Sequence, residues 1–426
     1  MTGFLCRQQI TSISPMKKFK FFAMTAFAAF AMTSCEDDEP ATTTVDNGVD
    51  VVAVSGTINS DVTWSKDNIY RLDGRVLVAG GATLTIDPGT IIKAAPGSGA
   101  FASALVVTRD GMINAQGTAA EPIIFTTIAD DIKPGQIASP NMDPTNNGLW
   151  GGVIILGEAQ ISASNDDGDQ LAELQVEGIP TSVDARYGGN NDADNSGVFS
   201  YVSIRHGGAN IGDGNEINGL TMGGVGTGTK IDHIEIVANQ DDGVEWFGGS
   251  VNTSNMLVWN CGDDGLDTDQ DWIGTCEDFI VVAPDGSAFE LDGPEGNLNR
   301  GTHQFNNGTV YAGSSIASLI DWDGGTNAGV NNVFFFGLDS DYGYIAEDPA
   351  NDVDEFKPFA SFGGDGTGNT ANLRVKLNGQ TLADLFETGS TIPSAVSEST
   401  SNDFGHTGNY SWTWASVSGS LGSIGL

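Results

Sequence analysis

Positive charge is scarce in this chain. Its 426 residues hold 17 Lys and Arg against 56 Asp and Glu, a formal net charge of −39. Such a field repels phosphate polymers and anionic bilayer surfaces, so nucleic acid is not expected as a partner. Histidine is rarer still: His206, His233, His303 and His406 are the whole complement. Proline numbers 14 against 58 glycines, which points to many tight turns and away from a Pro-rich linker. No apolar run reaches the roughly 20 residues that a membrane-spanning helix needs. The mature chain also lacks any helical apolar period sustained over three turns, and this makes it all-β. Hydrophobic residues still make up 39%, so the expectation is a folded chain with an acidic skin.

The N-terminus is the one basic region. Met16-Lys17-Lys18-Phe19-Lys20 precedes an apolar run over residues 21–32, which is 12 residues long. That is the layout of a targeting segment, not of a membrane span. Thr33-Ser34-Cys35 follows, and then Glu36-Asp37-Asp38-Glu39. This resembles the lipobox of bacterial lipoproteins, with Met32 where the motif usually has leucine. The acidic run after the cysteine resembles the surface-export signal of lipoproteins of the Bacteroidota. The resemblance implies that Cys35 is diacylated and that residues 1–35 are the signal peptide. It further implies an outer-membrane, lipid-anchored protein at the cell surface, with residues 36–54 as an acidic, Thr-rich tether. Loss of residues 1–35 removes Arg7, Lys17, Lys18 and Lys20 and no acid, leaving 13 basic against 56 acidic residues, or −43.

Beyond residue 55 the chain is a procession of short runs rich in Val, Ile and Thr, bounded by Gly, Asn and Asp. Arg75-Val76-Leu77-Val78, Ala82-Thr83-Leu84-Thr85-Ile86 and Gly152-Val153-Ile154-Ile155-Leu156 are examples, each the length of a β-strand. Four later stretches fall into one register. Val244 and Leu266 are offset by 22 residues, Leu266 and Phe289 by 23, and Phe289 and Ile320 by 31, the last because a loop over 294–306 is inserted. Self-similarity near this period signals a solenoid whose units bury their apolar faces only by stacking. Propeller blades are longer, and sandwich strands do not give in-register apolar columns at this spacing.

Gly80-Gly81-Ala82-Thr83-Leu84-Thr85-Ile86-Asp87-Pro88-Gly89, Leu149-Trp150-Gly151-Gly152-Val153 and Ser200-Tyr201-Val202-Ser203-Ile204-Arg205-His206 resemble coils of pectin-lyase-like proteins. The resemblance implies a right-handed parallel β-helix over 55–345, with 346–426 as a C-terminal cap region. Within that last segment, Thr381-Leu382-Ala383-Asp384-Leu385-Phe386-Glu387 is predicted to form a short helix. Residues 130–148 and 164–197, rich in Asp, Asn and Gly, read as long loops off one face.

Function is sought in the residues beside the apolar column. Strand side chains alternate, so Glu245, Asp267, Glu290 and Asp321 point outward, about 4.8 Å apart. Two positions on, Asp269, Asp292 and Asp323 continue the outward face after Phe247. Like charges at that spacing repel by roughly 1 kcal/mol in water and about 3–4 at an effective dielectric of 20. Cations, retained protons or basic partners must compensate, unless the column is simply a solvated acidic face. Between residues 231 and 350 the only Lys or Arg is Arg300. Oxygen-only ligands at flexible spacing suit Ca2+. Asp241-Asp242-Gly243 and Asp263-Asp264-Gly265 precede the first two ladder strands at the same 22-residue offset, as secondary ligands or as turn chemistry. In an exported compartment, Cys261 and Cys276 are expected to form a disulfide clipping residues 262–275.

The favoured reading is a lipid-anchored, non-catalytic binding or scaffold protein that takes up Ca2+ and binds a polysaccharide. The alternatives are a calcium-dependent polysaccharide lyase or glycoside hydrolase, or an accessory lipoprotein partnering outer-membrane proteins. A lyase would need Arg205 or Lys230 as its base, and each of these otherwise reads as a surface or turn residue. Asn239-Gln240-Asp241-Asp242 is similar to the Asp-Asp element of polygalacturonases, but the Gly-His-Gly turn and Arg-x-Lys strand of that group are missing. Trp246 and Trp322 follow ladder acids and are predicted to point inward, while Trp259 and Trp272 stand in neighbouring coils. If Cys35 carries the anchor, Cys35→Ser should move the protein from the membrane to the soluble exported fraction. Fractionation with unchanged membrane partition would place the anchor elsewhere.

Overall fold

The computed structural model describes residues 44–46, 48–165, 167–176, 179, 181, 183–210, 217–345, 358–360 and 368–426. Cys35, the signal segment and the first part of the tether lie outside the described residues. The chain winds as a right-handed parallel β-helix. In the coil sheets every described pairing is parallel except that of Thr44–Asp46 with the start of Val49–Ile58. A typical coil has one short strand and one long bent strand. The short strands form the ladder sheet: Val153–Leu156, Leu220–Gly223, Val244–Phe247, Leu266–Asp269, Phe289–Leu291 and Ile320–Trp322. The long strands, such as Lys230–Val237, Thr253–Trp259, Thr275–Val282 and His303–Gly313, supply the other two sheets.

One residue makes each bend. His233, Asn255, Asp278, Asn307 and Asn332 occupy the left-handed region with φ between 54° and 60°, and they stand one above another at the same corner. The Cβ clash of that region disfavours most L-residues, and Asn and Asp bear it best through local hydrogen bonding. The stack is also bonded across coils, with Asn332 Nδ2 donating to Asn307 Oδ1 at 2.5 Å.

Val244 pairs in register with Leu266, and Leu266 with Phe289. Glu290 pairs with Asp321, which carries the column on to Ile320. All four apolar residues are fully buried in one continuous core. Trp246 and Trp322 turn inward as alternation requires, and they too belong to that core. Rings of successive coils meet there: Phe289 lies edge-on to Phe305 at 5.2 Å and to Phe279 at 5.5 Å.

Cys261 and Cys276 are both free and buried, contrary to the expected disulfide. Cys261 sits at the turn into the ladder sheet, where its Sγ donates to the Asp264 carbonyl at 3.1 Å. Cys276 pairs with Thr253 on a different sheet. The residues between them travel round the coil through the ladder strand, so the two thiols belong to separate walls of the core.

The two long loops also leave on different faces rather than one. Ala138 and Met142 pack on the outside of a long-strand sheet, whereas Ile161, Ala163, Ile179, Ala185 and Tyr187 cover the ladder sheet. At the far end Phe359–Ala360, Thr370–Val375 and Val396–Glu398 extend the coil. Leu382–Leu385 is a single 3-10 turn closed by reciprocal Thr381 and Asp384 bonds, and it sets Leu385 and Phe386 on the core. Residues 404–426 then return along the flank, where Tyr410, Trp414 and Leu421 cover Val237, Leu257, Trp259, Ile280 and Val282.

Phe289 touches aromatic rings of the coils on both sides. Phe289→Ala should therefore cost about 3–5 kcal/mol, as large-to-small changes in packed cores do. Urea unfolding measures this, and a loss below about 1 kcal/mol would contradict the stacked core.

Candidate functional site

The ladder acids do face away from the helical core, but they do not face water. Glu245 and Asp267 are each 8% exposed. The cause lies upstream on the same sheet, where the register that leads to Glu245 runs through Val106, Ile154 and Thr221. Val106 and Ile154 are apolar, and Ile161, Ala163, Ile179, Ala185 and Tyr187 of the described residues pack across them as a second small core. It then overhangs the first ladder acids. The insertion over 294–306 meets this cover: Ser162 Oγ donates to the Leu298 carbonyl at 2.8 Å. Arg300 donates to the Gln160 carbonyl at 2.6 Å and to Asp192 at 2.8 Å. Burial fades down the column, since Glu290, Asp292 and Asp321 are half-buried and Asp323 is exposed.

Carboxyl oxygens converge in three groups among the described residues: Asp241, Asp242 and Asp263; Asp242, Glu245 and Asp267; and Glu290, Asp292 and Asp323. Within each group the nearest oxygens lie within 4.8 Å of one another. The expected grid is thus divided, with Asp269 and Asp321 outside these groups. Asp269 instead lines the groove described below. Asp242 and Asp264 have a structural duty as well. Asp242 Oδ1 accepts the Asp264 backbone N–H at 2.9 Å, and Asp264 Oδ1 accepts that of Ser287 one coil on. The glycines that follow are fixed by space: a Cβ on Gly243 would stand 2.4 Å from Val258 Cγ1, and one on Gly265 2.7 Å from Val281 Cγ1. Turn chemistry accounts for the second aspartate and the glycine of each Asp-Asp-Gly.

Carboxyl stands against carboxyl in three places: Glu245 with Asp267, Asp264 with Glu290, and Asp292 with Asp323. Such a contact needs a proton or a cation between its oxygens. Burial pushes Glu245 up to about 8, although Asp267 and Asn218 bond to it. Asp242 and Asp267 are driven well above the usual carboxylate range by burial and then by Glu245. Asp269 is raised likewise by burial and then by Glu295. Glu290 is pushed up to about 10, first by its bond to Asp264 and then by burial. Asp292 rises to about 7 through burial and the neighbouring Asp323.

Among the described residues no basic group relieves the column. Arg205 is fully buried in a long-strand sheet, not at a surface or turn, with its Nε donating to Ser203 at 2.7 Å and its guanidinium over the Trp414 ring. Lys230 is exposed on another sheet and pairs with Asp232 at 2.8 Å. Neither candidate lyase base faces the ladder.

Above the head of the ladder lies a groove of about 590 Å3. Its floor includes Asp242, Glu245 and Asp269, and one wall is formed by Ile154, Leu174, Val176, Tyr187 and Phe247. Nothing in the sequence marks Tyr187 as a groove residue, because the loop that carries it is aperiodic. Trp246, Trp259, Trp272 and Trp322 are all buried and offer no platform to a ligand.

A family model described as a pectate-lyase like beta helix domain matches residues 56–340. No curated protein and no solved structure matches the chain.

The raised carboxyls carry a pH dependence of definite sign. A group that holds its proton more tightly when folded favours the fold below its unfolded value of about 4.5, and that advantage fades as pH rises through the folded value. For Asp292, Glu245 and Glu290 the loss extends from about pH 5 through 7, 8 and 10 in turn. In EDTA, thermal unfolding should therefore occur at a higher temperature at pH 5.5 than at pH 8.5. Glu245→Gln should flatten this slope. A metal-free protein that is more stable at pH 8.5 would contradict the retained protons.

Proposed function

The chain belongs to the pectate-lyase-like beta-helix domain family, and from that premise we propose a non-catalytic binding and scaffold protein, lipid-anchored at the cell surface through Cys35, whose carboxylate column takes up Ca2+. The observation that carries this reading is a run of carboxylates in four consecutive coils, buried at its head, with no basic side chain against it among the described residues. Register prevents these groups from separating, so their charge is met by retained protons or by a cation. A divalent cation would neutralise two carboxylates at once and tie adjacent coils together.

The residues fit Ca2+. Every candidate donor is an oxygen, as that hard cation prefers, and no histidine or thiolate joins the three groups. In the group of Glu290, Asp292 and Asp323, Asp292 Oδ1 is buried and has no hydrogen-bond partner. That group is also the most open to solvent, which gives an ion a way in. Glu290, Asp292 and Asp323 would hold it, and the ion would supply charge neutralisation there. The groove at the opposite end of the ladder is where we place a bound glycan, since it brings polar groups and two aromatic rings together.

A glycoside hydrolase is the second reading. It is favoured by the Glu245 and Asp267 pair beside the groove, because carboxyls that retain protons are what such enzymes use as acids. A lyase has less support, with Arg205 enclosed under Trp414. The accessory-lipoprotein alternative rests on the Cys35 motif alone.

Saturating Ca2+ should stabilise the fold, by about 2.7 kcal/mol at 100 times the dissociation constant. The double change Glu290→Gln with Asp292→Asn should abolish that response and, at pH 8.5, raise the stability of the metal-free protein by removing the charge that Asp292 carries above its folded value of about 7. Thermal unfolding with Ca2+ and with EDTA measures both effects. If Ca2+ stabilises the double variant as much as it stabilises the parent, the cation reading fails.

A further inference from the structure

The groove at the head of the ladder is unusual in what its lining offers. Asp241, Asp242, Glu245, Asp269 and Glu295 all contribute, and there is no Lys, Arg or His among the lining residues. Asn218 supplies a second and independent observation. It lines the groove, is 5% exposed, and donates through Nδ2 to Glu245 Oε2. Its Oδ1 is buried with no hydrogen-bond partner. The site therefore has acceptors in excess and wants donors. Leaving a buried acceptor unmet costs roughly 1–3 kcal/mol, so a donor brought by a ligand would be held firmly.

The opposite wall narrows the choice of ligand. Tyr187 and Phe247 lie 5.9 Å apart with their rings tilted by 48°, flanked by Ile154, Leu174 and Val176. A bare metal ion would use the floor and leave this wall without a role. A uronate chain would add negative charge to a floor that already has too much. An ammonium group is three donors and no acceptor, and it is attracted to the faces of aromatic rings. Sugar rings present apolar faces to such a wall, and their hydroxyls suit the Gln175 and Ser164 side chains that also line the groove.

We infer that the groove binds an oligosaccharide of amino sugars, with free ammonium groups on Asp242, Glu245 and Asn218 and a pyranose ring against the half-buried Phe247, which packs on Tyr187. This rests on the reading of the molecule as a glycan-binding scaffold, and it does not require the cation site. Glu290, Asp292 and Asp323 do not line the groove.

The test is calorimetric titration of the full chain in EDTA with four probes: a glucosamine tetramer, its N-acetylated counterpart, a galacturonate tetramer and spermidine. The glucosamine tetramer should bind at least tenfold more tightly than each of the others, and its affinity should fall as salt rises. Glu245→Gln and Phe247→Ala should each weaken it at least tenfold. Equal binding of the acetylated tetramer would overturn the ammonium contact, and equal binding of spermidine would overturn the sugar contact. No binding by the glucosamine tetramer would overturn the inference outright. Each variant is checked for its thermal transition and its response to Ca2+. A lost Ca2+ response with tetramer binding intact would count against the cation site alone, and the converse would count against this inference alone.

Discussion

Parallel pairing between successive coils is the constraint from which the rest of the molecule follows. It sets each residue directly over its counterpart one turn earlier, as Leu266 over Val244 and Asp267 over Glu245. Inside, this is favourable, because apolar columns exclude water along the whole solenoid. Outside, it forces like charges together at about the 4.8 Å strand spacing. The two consequences cannot be separated. A one-residue slip that parted the carboxylates would turn Val244, Leu266 and Phe289 out of the core. A slip would expose every apolar residue of the column at once, each worth about 1.5–3 kcal/mol, whereas repulsion of about 1 kcal/mol in water and about 3–4 kcal/mol in the sheltered stretch is removed by a proton or a cation. The apolar column wins, and the acids are held where they are.

Covering the column changes its chemistry. Val106 and Ile154 make the early ladder sheet apolar on its outer side, so the described residues over 161–187 must lie across it. That cover does not stop at the last apolar residue. It extends over Glu245, and the insertion over 294–306 is fastened to it by Ser162 and by Arg300 with Asp192. The column thus grades from enclosed at Glu245 and Asp267 to open at Asp323. One repeat of sequence yields two environments: a groove floor at the head and a solvent-accessible cluster at the foot.

What the sequence made legible was whatever repeats. The apolar column, the inward Trp246 and Trp322 and the outward acids all follow from period and alternation, and the structure has each of them. The corner residues His233, Asn255, Asp278 and Asn307 repeat too, but as single Asn, Asp and His positions inside apparent strands they give a weak signal. They were readable only as breaks in alternation just before Ile234, Met256 and Phe279. Cys261 and Cys276 misled because spacing along the chain ignores the wall each occupies. The burial of the acids was out of reach, since it is set by aperiodic loops that cross from one coil to others. Arg205 was misplaced for the same reason, being enclosed by Trp414 from more than 200 residues away.

Membership of a family fixes the coil and leaves the chemistry to the site. Acid–base catalysis by two carboxyls needs them to differ, one keeping its proton and the other ionised at the working pH. Enzymes create that difference with an unequal environment, such as an arginine or a set of N–H donors beside one partner only. Here the environment pushes in one direction. Glu245, Asp267, Asp269, Glu290 and Asp292 are all raised, because each is sheltered and each has further acids for neighbours. Asn218 beside Glu245 is a neutral donor, and its effect does not outweigh burial. An array whose members all resist ionisation leaves no partner to stay ionised as the base. It suits the proposed uptake of cations, metallic at the foot of the ladder and organic at its head, better than it suits a division of labour between an acid and a base.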